Sequence, residues 1–150
     1  GKVAIITGVL GAKNLRQRCE GFKAGVAGSG LEVLTEQTDN GDRAKGLALA
    51  ENLMTANPDL VGFFADNAIA GPAVAQALIG RAQQGKVKLI SFDTTPALLG
   101  YVHDGVAQRL VAQKPDKMGE LGVELLVRKL KGETLPPVVD TGVVVVTEAP

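Results

Sequence analysis

The sequence predicts an α/β fold: a doubly wound, mostly parallel sheet with helices on both faces. Short runs rich in Val and Ile alternate regularly with segments of helical periodicity, and a Val-rich run closes the chain. The length of 150 residues and the hydrophobic share of 45% suit one domain with a single core, so we assign residues 1–150 to one unit.

The strands are predicted from apolar runs that are too short to be helices. The first, at residues 3–6, is β-branched and is closed by Thr7 and Gly8, as expected of a strand buried on both faces. The others are predicted at residues 31–35, 60–64, 87–90, near 106–111, and in the segment TGVVVVTE at 141–148.

The helices are predicted from apolar residues that recur at three- and four-residue spacing. Asp42 is the expected N-cap of the second helix, which Asn57 and Pro58 end, whereas Gly85 breaks the period of the third. A short fourth helix is expected near 96–102. The inward-facing residues are Leu15, Cys19, Phe22 and Val26; Leu47, Ala50 and Met54; Ala70, Val74, Ala77 and Leu78; and, in the last helix, Met118, Leu121, Gly122 and Leu125.

The composition argues against several partners. Lys plus Arg and Asp plus Glu are 16 each, so no net charge attracts nucleic acid or an anionic membrane, and we expect no nucleic-acid partner. Cys19 is the single cysteine and cannot form an intramolecular disulfide, nor can it build a zinc site with the one histidine. No apolar stretch approaches the ~20 residues that span a bilayer. The opening GKVAIITG is not a signal peptide, and its abrupt start on a strand suggests a piece of a longer protein.

Polar residues stand at the end of every predicted strand before the last. Ligands of open α/β sheets bind beyond the carboxyl ends of the strands, so these residues predict a ligand crevice. The alternative is that they are solvated turns and helix caps. The residues are Thr7, Gly8, Gln37 to Asp39, Asp66, Asn67, Asp93 and Gln113.

Three side chains at this edge suit a ligand rich in hydroxyl groups. Asp93 could accept two hydroxyls or cap the following helix, and Asn67 both donates and accepts hydrogen bonds. Arg18 follows Asn14 by one helical turn, so both face the same side, and its planar fork could hold two ligand oxygens unless it is a surface arginine.

Other chemistries fit the sequence less well. The loop GVLGAKN matches neither GxGxxG nor a phosphate-binding P-loop. Ser91 lacks a GxSxG context and His103 stands alone, so we expect no catalytic residues and no enzyme activity. Asp39, Asp66 and Asp93 could form a magnesium cluster, but a neutral ligand explains them without a metal, and we expect no metal or cofactor.

Taken in order, the motifs resemble those of periplasmic sugar-binding proteins of the ribose-binding type, within the superfamily that includes lactose-repressor-like proteins. The motifs run along the entire chain: GKVAIITG, Asn14 and Arg18 before EGF, NPDLVGFFADN, SFDTTP, Asp104 with Gly105, AQKPDKMG and TGVVVVT. The match covers only the second half of such a protein, a flavodoxin-like lobe of a type I periplasmic binding protein.

The resemblance implies binding residues and partners. It assigns sugar binding to Arg18, Asn67, Asp93 and Gln113, which the strand-end argument also selects. It implies a monosaccharide ligand, an N-terminal lobe absent from these residues, the membrane permease of an ATP-driven (ABC) importer, and a periplasmic or otherwise extracytoplasmic location. Ala68 stands where the family often has Asp, and Asn40 with Gly41 where a ribose binder tends to place an aromatic ring, which puts ribose itself in doubt.

The resemblance also sets the last helix apart. In the family, the helix at 115–131 packs on the other lobe. In this chain the alternatives are the sheet's free edge, the sheet's free face and a second copy of the chain, and the stripe of Met118, Leu121 and Leu125 is compatible with self-association. Two alternative functions stay open: the effector domain of a lactose-repressor-type transcription regulator, and a flavodoxin-like enzyme acting on a phosphorylated metabolite.

Overall fold

The first strand is buried on both faces because helices cover both sides of the sheet around it. In the computed structural model, which describes residues 1–147, residues 3–7 of this strand are all buried. The elements follow in strict alternation: β1 (Lys2–Thr7), α1 (Lys13–Val26), β2 (Glu32–Thr38), α2 (Arg43–Ala56), β3 (Leu60–Ala65), α3 (Ala70–Gly80), β4 (Lys88–Phe92), α4 (Pro96–His103), β5 (Arg109–Gln113), α5 (Pro115–Leu130) and β6 (Val143–Val146).

The strands form a single sheet in the order β2-β1-β3-β4-β5-β6. Strands β1 to β5 pair in parallel, and β6 pairs antiparallel with β5. This arrangement confirms the predicted doubly wound, mostly parallel fold. It also brings the carboxyl ends of the five parallel strands to one edge of the sheet.

Two apolar clusters lie on opposite faces of the sheet. The larger is formed with α2, α3 and α4, and it contains Ile6, Phe63 and Leu89. The smaller lies under α1, where Cys19 and Phe22 pack against Phe64, whose ring stacks on that of Phe22 at 4.5 Å. Helices therefore cover both faces, as predicted.

The structure moves some predicted boundaries. Strand β2 continues through Thr38 because its polar second half still pairs with β1. Strand β5 begins only at Arg109, since the apolar residues Val106 and Ala107 before it are buried without pairing to β4. Helix α3 ends at Gly80, before Gly85. The predicted cap is confirmed, because the Asp42 carboxylate accepts hydrogen bonds from the amides of Ala44 and Lys45.

Helix α5 has no buried residue along its length. Leu121 and Leu125, of the predicted inward stripe, are half-buried, whereas Met118 is exposed. The other exposed apolar side chains of the helix are Val123, Leu126, Val127 and Leu130. The expectation that helix 115–131 packs on another lobe or another copy stays a prediction. Strand β6 ends at Val146, and Glu148 of the predicted last strand lies outside the described residues.

Candidate functional site

A crevice of about 360 Å³ lies at the edge of the sheet where the parallel strands end. All five residues that the sequence selects as ligand-binding line it: Asn14, Arg18, Asn67, Asp93 and Gln113. Four of them are half-buried and Asn14 is exposed, so the fold brings the predicted set together around one open space. Their role in binding stays a prediction.

Asp93 and Gln113 form the first part of the crevice wall, at the ends of the neighbouring strands β4 and β5. Gln113 Nε2 donates to Asp93 Oδ1 at 2.8 Å, and the Asp93 amide donates to the Val111 carbonyl at 2.9 Å. Asp93 has φ +69°, in the left-handed region that Asp and Asn tolerate better than most residues. The other side-chain oxygens of the pair, Asp93 Oδ2 and Gln113 Oε1, take no part in this bond and can accept hydrogen bonds from a ligand. The alternative that Asp93 caps α4 is not what the structure has, since Thr95 is the capping residue.

Arg18 reaches the crevice from α1, with its guanidinium stacked on an aromatic ring. Its Cζ lies 3.9 Å from the centroid of the Phe92 ring, and one of its terminal nitrogens donates to the Asp66 carbonyl at 2.8 Å. These two contacts fix the plane of the guanidinium. A guanidinium has five N–H donors, so others remain for a ligand.

Asn67 follows β3; it lines the crevice and also makes hydrogen bonds within the protein. Its Oδ1 accepts from the amides of Ile69 and Ala70 at 2.8 and 2.9 Å, at the start of α3. Its Nδ2 donates one hydrogen to Asp66 Oδ1 at 2.9 Å. One amide hydrogen remains, so Asn67 faces a ligand as a donor rather than as donor and acceptor together.

Asp66 is one of the polar strand-end residues, and the sequence assigns it no specific role; in the structure it supports the crevice residues Arg18 and Asn67. It is fully buried, and its Oδ2 accepts from Thr7 Oγ1 at 2.5 Å and from Cys19 Sγ at 3.3 Å. Burial and the neighbouring Asp66 carboxylate raise the pKa of the Cys19 thiol to about 12, so the thiol stays protonated and can donate. Through these bonds and its bonds to Asn67 and Arg18, Asp66 links β1, α1 and the end of β3 beside the crevice.

The alternative of a magnesium cluster is not what the structure has. Asp66 contacts Cys19 of α1, whereas Asp39 lies beside Gly46 of α2, on the other side of the sheet. Within residues 1–147, no group of three or more His, Cys, Asp or Glu side chains is arranged to hold a metal ion.

The turn after β2 contributes backbone to the crevice. Asn40 and Gly41 have φ of +57° and +76°, and the Asp42 amide donates to the Asp39 carbonyl at 3.0 Å. Positive φ at both central positions is what a type I′ turn requires, and Asn-Gly is its preferred pair. Gly41 therefore lines the crevice without a side chain.

Comparison with known proteins identifies the family. The family model described as periplasmic binding protein domain matches residues 1–134. The chain belongs to the periplasmic binding protein family. The ribose import binding protein of Salmonella typhimurium is 39% identical over 132 residues, which are 88% of this chain and 44% of that protein. The D-ribose/D-allose-binding protein of Pseudomonas aeruginosa is 29% identical and covers 89% of this chain and 42% of its own length.

Solved structures of sugar-binding proteins are also similar to this chain, in both fold and sequence. The carbohydrate transporter solute-binding protein of Agrobacterium radiobacter, in complex with D-arabinose, has a TM-score of 0.91 and 39% identity, covering 99% of this chain and 51% of its own. A solute-binding protein of Agrobacterium vitis bound to α-D-tagatopyranose has a TM-score of 0.93 and 29% identity, covering 99% and 50%. This periplasmic binding protein chain thus spans about half the length of the relatives it matches.

These matches confirm the predicted resemblance to part of a ribose-binding-type periplasmic protein. Among the helices of residues 1–147, none has both the length and the apolar character that crossing a membrane requires.

Proposed function

We propose that this chain is a sugar-binding lobe of an ATP-driven importer and holds a monosaccharide through hydroxyl hydrogen bonds, without catalysis. The observation that carries the proposal is the convergence of Arg18, Asn67, Asp93 and Gln113 on one crevice, each with hydrogen-bonding groups that the protein leaves unused. A planar guanidinium, a carboxylate and two amides supply both donors and acceptors, as vicinal hydroxyls require.

The similar proteins support the ligand class. Structures that resemble this chain were solved with D-arabinose, D-fucose and D-allose, and the curated relatives include ribose and allose binders. Three different monosaccharides on closely similar lobes argue for sugar binding here, and they leave the identity of the sugar to local differences in the crevice.

The crevice is open to solvent, and an open site should bind a sugar weakly. Asn14 is exposed and Arg18, Asn67, Asp93 and Gln113 are only half-buried, whereas small ligands are usually enclosed over most of their surface. We infer that a second lobe closes the site, that α5 packs on that lobe, and that the complete protein delivers sugar to a membrane permease from a periplasmic location. Without the second lobe, sugar binding should be weak, and the exposed side of α5 should favour self-association.

The test is a titration of the ¹⁵N-labelled chain with D-ribose, D-arabinose and D-allose, followed by amide chemical shifts. We expect millimolar binding, with shifts at Asn67, Asp93 and Gln113. Ribose 5-phosphate is the comparison ligand: the Asp93 carboxylate should disfavour it relative to D-ribose. No shift in the crevice with any sugar, or a preference for the phosphorylated sugar, would contradict the proposal. Tight binding by the chain alone would contradict the need for a second lobe.

A further inference from the structure

The crevice changes character along the edge of the sheet. Asp93 and Gln113 stand at β4 and β5, and Asn67 follows β3, so this end is polar. The other end, beyond β1 and β2, is lined by Val9, Gly41 and Ile69. A ligand lying across the five parallel strands therefore meets hydrogen-bonding groups at one end and aliphatic carbon at the other.

The apolar end is held in a fixed geometry. Thr38 Oγ1 accepts from the Asn40 amide at 3.1 Å, and Asp39 Oδ1 accepts from the Gly41 amide at 2.7 Å, so side chains brace the turn on both sides. The side chain of Ile69 covers the place that Gly41 leaves empty: its Cδ1 lies 4.0 Å from where a Cβ on residue 41 would stand.

Ile69 is tied directly to the polar end of the crevice. Its amide donates to Asn67 Oδ1 at 2.8 Å, which fixes its position relative to a residue of the proposed sugar site. Its side chain is nevertheless 43% exposed, and that of Val9 is 58% exposed. An aliphatic side chain that faces an open ligand crevice gains favourable contact only if the ligand presents carbon to it.

We propose that Ile69 sets the specificity of the site by selecting pentopyranoses and 6-deoxyhexoses over hexoses that carry a 6-hydroxyl. The proposal rests on the proposed function. The ring hydroxyls form hydrogen bonds with the side chains of Asp93, Gln113 and Asn67. The C5–C6 side of the sugar then lies toward Ile69. A 6-hydroxyl placed against Ile69 and Val9 would gain no hydrogen bond from these aliphatic side chains, whereas a methyl group at the same place would gain apolar contact and a hydrogen would put no polar group there.

The test compares D-fucose with D-galactose, which differ only in the 6-hydroxyl. In the wild-type chain, we expect D-fucose to bind about tenfold more tightly, the scale on which an apolar pocket discriminates a single group. In Ile69→Ser, the ratio of the two dissociation constants should fall close to one, and in Ile69→Val it should stay near the wild-type value. Ile79→Ser is the matched control, because Ile79 is 45% exposed and does not line the crevice.

The outcomes separate the inference from the proposed function. Both sugars binding to the wild-type chain with equal affinity, or D-galactose binding better, would overturn the role of Ile69 and leave sugar binding intact. The role of Ile69 would also be overturned if Ile69→Ser left the ratio of the two dissociation constants unchanged, or if Ile79→Ser changed that ratio equally. No amide shift with either sugar in any variant would overturn the proposed function, and the specificity proposal with it.

Discussion

Gln113 donates a hydrogen bond to the carboxylate of Asp93, with 2.8 Å between Gln113 Nε2 and Asp93 Oδ1. The two residues are 20 positions apart, and they meet because β4 and β5 are parallel neighbours that end at the same edge. The bond orients the carboxylate before any ligand arrives. A preorganised acceptor costs less ordering on binding than a mobile one.

Asp93→Asn should weaken sugar binding while leaving the fold intact. Asn tolerates the left-handed backbone of residue 93 and can still accept from Gln113, but it has lost the charge that strengthens a hydrogen bond to a hydroxyl. We expect a loss of about 1.5–3 kcal/mol, roughly ten- to hundredfold in Kd, measured by amide shift titration with D-arabinose. Thermal unfolding is the control measurement: the Tm of Asp93→Asn should match the wild type, while Asp93→Ala should lower it through strain at φ +69°. Unchanged sugar affinity in Asp93→Asn would show that the Asp93 carboxylate does not contribute to sugar binding.

Arg18→Lys should cost both stability and sugar affinity. An ammonium group cannot stack on Phe92 and also keep the geometry of the bond to the Asp66 carbonyl, so about 1 kcal/mol of unfolding free energy should be lost, as measured by urea denaturation. Arg16→Lys is the matched control, because Arg16 is mostly exposed and lies 3.8 Å from Glu20 in a weak ion pair. Equal effects of the two substitutions would show that the stack on Phe92 contributes nothing.

Most of the fold and the set of crevice residues can be predicted from the sequence, for a simple physical reason. Carboxyl ends of parallel strands coincide at one edge, so the residues after each strand must meet, and Arg18 follows Asn14 by one helical turn. The supporting contacts are different in kind. Asp66 and Cys19 are 47 positions apart, and the Arg18–Phe92 stack depends on how α1 lies across β4. No local pattern encodes such distances.

The same limit explains the boundaries that were wrong. Val106 and Ala107 read as strand because they are apolar, yet they are buried in the segment before β5. The predicted second strand stops at residue 35, yet the polar residues 36–38 continue it and pair with β1. Burial and pairing are separate properties, and hydrophobic patterning reports only burial.

Gly71→Ala should destabilise the protein strongly. A Cβ at this position would stand 2.1 Å from Ser91 Oγ and 2.9 Å from Leu98 Cδ2, inside the packed contact between α3 and β4. Overpacking of this kind costs about 1–3 kcal/mol or more, measurable by urea unfolding. Gly71→Ala combined with Ser91→Gly should recover part of the loss. Gly80→Ala, where nothing lies within 4 Å, is the control and should be neutral or stabilising. Full stability of the single Gly71→Ala variant would contradict the packing described.

The exposed apolar side of α5 should make the chain self-associate. Leu126 is 59% exposed and Leu130 is 79% exposed, so an aliphatic surface faces solvent over two turns. We expect the sedimentation coefficient of the wild type to rise with concentration, and the double variant Leu126→Glu, Leu130→Glu to remain monomeric. Lys129→Glu makes the same change in net charge on the same helix and should still associate. A wild type that stays monomeric throughout would exclude α5 as a self-association surface.

Asp39 should make stability depend on pH. Its side chain is fully buried, its Oδ2 has no hydrogen-bond partner among the described residues, and burial raises its pKa above 3.8. A raised pKa in the folded state means that the folded protein holds the proton more tightly than the unfolded chain. The contribution of Asp39 is therefore most favourable below pH 3.8 and is lost as pH rises through the folded pKa. Asp39→Asn cannot titrate, so its unfolding free energy relative to wild type should increase as pH rises from below 3.8 toward neutrality, measured by urea denaturation across that range. A difference that stays flat across this pH range for Asp39→Asn would mean that Asp39 titrates alike in the folded and unfolded chains.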